Sequence, residues 1–82
     1  MKEQVYLECI DELFRIAGYD GVTHQDLLDD PDWKNKYTMT SEQFKQWYAF
    51  CAKQFSEKFN ITEAQATQET ALFVINYGIK CK

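Results

Sequence analysis

The chain has 82 residues, 45% of them hydrophobic, 16% aromatic and 27% charged, with a formal net charge of −4. That length holds one domain with one core, and two Trp, five Tyr and six Phe give a short chain the apolar area to close it. With only three glycines and one proline, the composition excludes a disordered chain, a collagen-like repeat and a low-complexity tail.

The opening residues, Met1-Lys-Glu-Gln-Val-Tyr-Leu-Glu-Cys9, carry carboxylates where a signal peptide requires an uninterrupted apolar segment. No window reaches the length needed to span a bilayer, so a membrane partner is not expected. Cys9, Cys51 and Cys81 are odd in number and far apart, unlike the dense, even set of a secreted mini-protein. These features predict a cytoplasmic protein in a reducing compartment. Asn60-Ile-Thr62 matches a glycosylation acceptor, but the same residues suit a helix end followed by a helix start.

The spacing of apolar residues predicts an all-α domain over residues 1–82: three main helices and one short one, packed as a small bundle. From Glu3 to Ala17, the residues Tyr6, Cys9, Ile10, Leu13 and Ala17 recur at helical spacing. Glu8, Asp11, Glu12 and Arg15 share another face, and Gly18 follows as the stop. Thr23 is placed to cap a short helix from His24 to about Asp29, with Asp26 at the capping-box distance. Pro31 ends or redirects that helix, and a connector runs to Thr40.

Thr40-Ser-Glu-Gln43 is a full capping box and predicts a helix from Ser41 to about Phe59, striped by Phe44, Trp47, Tyr48, Cys51, Phe55 and Phe59. Asn60 closes it, and Thr62-Glu-Ala-Gln65 opens the next helix after so short a connection that the two are expected to form an antiparallel hairpin. The last helix turns apolar on nearly every side through Ala71-Leu-Phe-Val-Ile75 before the C-cap Gly78. That segment is expected at the centre of the core or against a second copy in a homo-oligomer.

Little in the chain builds a catalytic constellation, and the reading is a non-enzyme without cofactor or metal. There is no nucleophile elbow, phosphate-cradling glycine loop, zincin pair or dinucleotide fingerprint, and the single His24 has no nucleophile near it in sequence. The three cysteines lack the close pairing of a zinc site. The aspartates of residues 20–32 lack the alternate ligands, central glycine and distal glutamate of an EF-hand loop.

Charge is distributed unevenly. Residues 1–33 hold nine carboxylates against Lys2 and Arg15, a net of −7, whereas residues 34–82 hold seven lysines against four carboxylates, a net of +3. An acidic face of Glu8, Asp11, Glu12, Asp26, Asp29, Asp30 and Asp32 suits a basic patch on a partner protein, and Trp33 and Tyr37 in the connector either clamp it onto the core or serve as aromatic partner contacts. Charge reversal at Glu8, Asp11 and Glu12 is then expected to weaken binding and leave the melting temperature unchanged. The alternative is a nucleic-acid or nucleotide-binding module using Lys45, Lys53, Trp33 and Trp47. An acidic chain with no arginine in that half is poorly suited to phosphate.

The run Asp30-Pro-Asp-Trp-Lys-Asn-Lys-Tyr-Thr-Met-Thr40, a helix containing Trp47, and Phe73-Val-Ile-Asn-Tyr-Gly-Ile-Lys80 together resemble short uncharacterised proteins encoded by tailed bacteriophages. The resemblance covers about residues 28 to 80, and the acidic first helix departs from it. It implies a phage product in the bacterial cytoplasm, acting as an inhibitor or adaptor of a host protein.

Overall fold

The computed structural model describes residues 2–79 and residue 81, with the side chains of Leu27, Leu28, Asp29 and Lys34 outside the description. The described residues are helical: α1 (Lys2–Ala17), a 3₁₀ helix η1 (His24–Asp29), the single turn α2 (Trp33–Lys36), α3 (Ser41–Phe59) and α4 (Glu63–Tyr77). They contain no strand, only one isolated parallel bridge between Met39 and Cys81.

Local sequence sets the ends of the long helices. At the starts of α3 and α4, Thr40 and Thr62 accept from the backbone N–H of Gln43 and Gln65, whose side chains accept in return from the threonine N–H. Each reciprocal pair satisfies two donors that the helix itself leaves unbonded. The three ends share one geometry, with Gly18, Asn60 and Gly78 at positive φ. The next amide in each case, of Tyr19, Ile61 and Ile79, donates five residues back to Phe14, Ser56 and Val74. Glycine enters this left-handed conformation freely, and Asn60 (φ 55°) is the one non-glycine residue to do so among the described residues.

α1, α3 and α4 converge on a core in which Phe14, Trp47, Phe55 and Phe73 are fully or almost fully buried. Burial of each such side chain contributes roughly 1.5–3 kcal/mol. Tyr6 of α1 stacks on Phe73 of α4 at 4.9 Å and meets Phe55 of α3 edge-on at 5.6 Å. The Trp47 indole N–H donates to the Cys9 carbonyl at 2.7 Å, a buried bond between α3 and α1. Thr70 is buried with its hydroxyl bonded to the Ala66 carbonyl at 2.8 Å, and the described residues leave no buried side-chain polar atom unsatisfied.

The all-α reading and the bounds of α3 match the sequence expectation, and α1 begins one residue earlier, at Lys2. Two local readings change. The short helix is a 3₁₀ helix because Asp26 accepts from Thr23 N–H, whereas Thr23 Oγ1 accepts from Gln25 rather than from the third residue, leaving a half-formed capping box. The connector after Pro31 contains a helical turn, α2, which Trp33 anchors in the core.

Candidate functional site

The acidic face is assembled from two separate segments. Asp11, on α1, accepts from the backbone N–H of His24 at 2.7 Å and meets the His24 ring Nδ1 at 3.0 Å. An amide at the start of η1 is thus satisfied by a carboxylate thirteen residues upstream, which ties the 3₁₀ helix to α1. The contact sets Asp11 of α1 beside the start of η1, the short helix that also carries Asp26.

Within that face, the predicted residues divide by what they touch. Glu8 and Asp32 are exposed, as is Asp20 in the turn before η1. Asp26 is exposed with one oxygen held by Thr23 N–H at 2.8 Å. Asp32 accepts from the Asn35 side chain at 2.6 Å across α2. Glu12 is 17% exposed and forks with the Arg15 guanidinium, whose hydrogen bond raises the arginine further above its usual range. Asp30 bridges Lys36 at 2.7 Å, and that hydrogen bond holds the carboxyl below its ordinary value. The Asp29 side chain lies outside the described residues. Asp11, Glu12, Asp26, Asp30 and Asp32 therefore have intramolecular work, whereas Glu8 and Asp20 are exposed without a hydrogen bond to another described side chain.

The aromatic half of the predicted site needs correction. Trp33 is only 7% exposed and belongs to the core. Tyr37 is half-buried and meets Phe14 at 5.1 Å and Tyr19 at 5.0 Å, both edge-on. Tyr37 thus clamps the 30–40 segment onto Phe14 of α1, and Trp33 is too buried to face a partner. Trp47 is fully buried as well, so the lysine and tryptophan platform retains exposed Lys45 and Lys53 but loses both indoles on which bases would stack.

His24 is engaged by Asp11, while Cys9 and Cys51 are free thiols buried in the core and Cys81 is exposed. Burial, with the Cys9 thiol alongside, pushes the Cys51 thiol far above its ordinary value of 9.0, the opposite of an activated nucleophile. The described residues bring together no cluster of three or more metal-ligating side chains. None of their helices is long and apolar enough to cross a membrane.

A feature the sequence reading missed lies between α3 and α4. Phe44, Lys45, Tyr48, Ala49, Ala52 and Thr67 line a mainly apolar groove of about 440 Å³, and two of them are joined by the Tyr48 hydroxyl, which donates to the Thr67 carbonyl at 2.9 Å. The alanines at 49 and 52 are its sequence signal, since small side chains on one flank of α3 leave the crevice unfilled. Compared with protein-family models, curated proteins and solved structures, the chain matches none.

Proposed function

We propose that the chain is a non-catalytic protein-binding domain that docks its acidic face on a basic patch of a partner. The resemblance to short phage proteins makes a bacterial host protein the partner, bound by an inhibitor or adaptor. The reading is supported by the Asp11 to His24 contact, which holds the start of η1 against α1, and by the exposure of Glu8, Asp20 and Asp32. A surface of one sign accelerates encounter with an oppositely charged partner and makes association salt-dependent. We also read α3 and α4 as an antiparallel hairpin, supported by their three-residue connection and by the Tyr48 to Thr67 hydrogen bond.

The test is affinity capture from bacterial lysate with the tagged wild-type chain and with a double variant, Glu8→Lys and Asp20→Lys. Asp11 and Glu12 are left intact because their contacts are structural. A stoichiometric protein retained by the wild type at low salt, released at high salt and lost by the variant supports the reading. Equal capture by both chains, or recovery of nucleic acid alone, overturns it.

A further inference from the structure

We draw no further inference here: the strongest candidate, the mainly apolar groove that Phe44, Tyr48, Ala49 and Ala52 of α3 form with Thr67 of α4, carries nothing, because nothing in the structure shows what covers it.

Discussion

The α3 and α4 region and the segment from Gly18 to Thr40 are held by different kinds of interaction. The first consists of two helices with capping boxes at their starts, left-handed residues at their ends and aromatic rings interleaved at 4.8–5.8 Å between Trp47, Phe55, Phe73 and Tyr77. The second contains one 3₁₀ helix and one helical turn, and long-range side-chain contacts hold it: Asp11 on His24, Phe14 and Tyr19 on Tyr37, and Trp33 in the core. Where backbone bonds are made locally, packing adds to structure already favoured. Where they are not, one distant side chain decides whether the segment docks at all.

That contrast is open to attack, first through the core. Trp47→Ala is expected to destabilise the whole domain by about 3–5 kcal/mol, read from chemical denaturation, because it opens a cavity beside Phe73 and removes the bond to the Cys9 carbonyl. A smaller effect is expected from Asp11→Ala. Loss of the carboxylate leaves the His24 amide unsatisfied and should cost about 1–2 kcal/mol. The change should be confined to η1 and its flanks, with α3 and α4 amide exchange unaltered.

Thr40→Ala and Thr62→Ala sharpen the comparison from the other side. The two capping boxes are equivalent in geometry, so each is expected to lower stability by about 1 kcal/mol. The smallest effect belongs to the exposed carboxylates: Glu8→Lys with Asp20→Lys should move folding stability by no more than about 0.5 kcal/mol while abolishing partner capture.

Proton linkage gives a further test of where burial lies. Burial raises Cys51, Tyr6 and Tyr77 above their ordinary values of 9.0, 10.0 and 10.0. A group raised on folding contributes stability that is complete below its unfolded value and is lost as pH climbs toward the folded one. The melting temperature should therefore fall as pH rises above about 9. Cys51→Ala should remove part of that alkaline slope. Asp30 has the opposite sign: lowered by Lys36, it supports the fold above its ordinary value of 3.8 and ceases to do so as pH falls through the lowered one. The bridge is exposed, so its acid limb should be shallow and weaken with salt.

The same division explains what the sequence made legible. Thr40, Gln43, Thr62 and Gln65 act within three residues of each other, so the helix starts could be read from spacing, as could Asn60 and Gly78 at the ends. The stripe of α1 was less complete, since Val5 and Phe14 are buried beside Cys9, Ile10 and Leu13, and neighbours from other elements decide which flank closes. His24 and Asp11 are thirteen residues apart with no periodic relation, and no local pattern announces their contact. Trp33 and Tyr37, in a short polar connector, suited either a clamp on the core or a partner contact, and the burial of Trp33 with Phe14 and Tyr19 against Tyr37 favours the clamp. The segment Ala71 to Ile75, expected in the core or on a second copy, is split in burial, with Phe73 in the core and Leu72 and Ile75 exposed. The charge asymmetry was legible in full, but which carboxylates are committed to Arg15, His24 or Lys36 was not.

The acidic face exists as one surface only if Asp11 holds η1 against α1, and amide hydrogen exchange at His24 measures that contact directly. In the wild type the His24 amide should be protected about tenfold or more over its rate in an open chain, with the protection lost in Asp11→Ala and that of α3 and α4 retained. A His24 amide that exchanges at the open-chain rate in the wild type would contradict the joining of the two acidic segments and the docking face built on it.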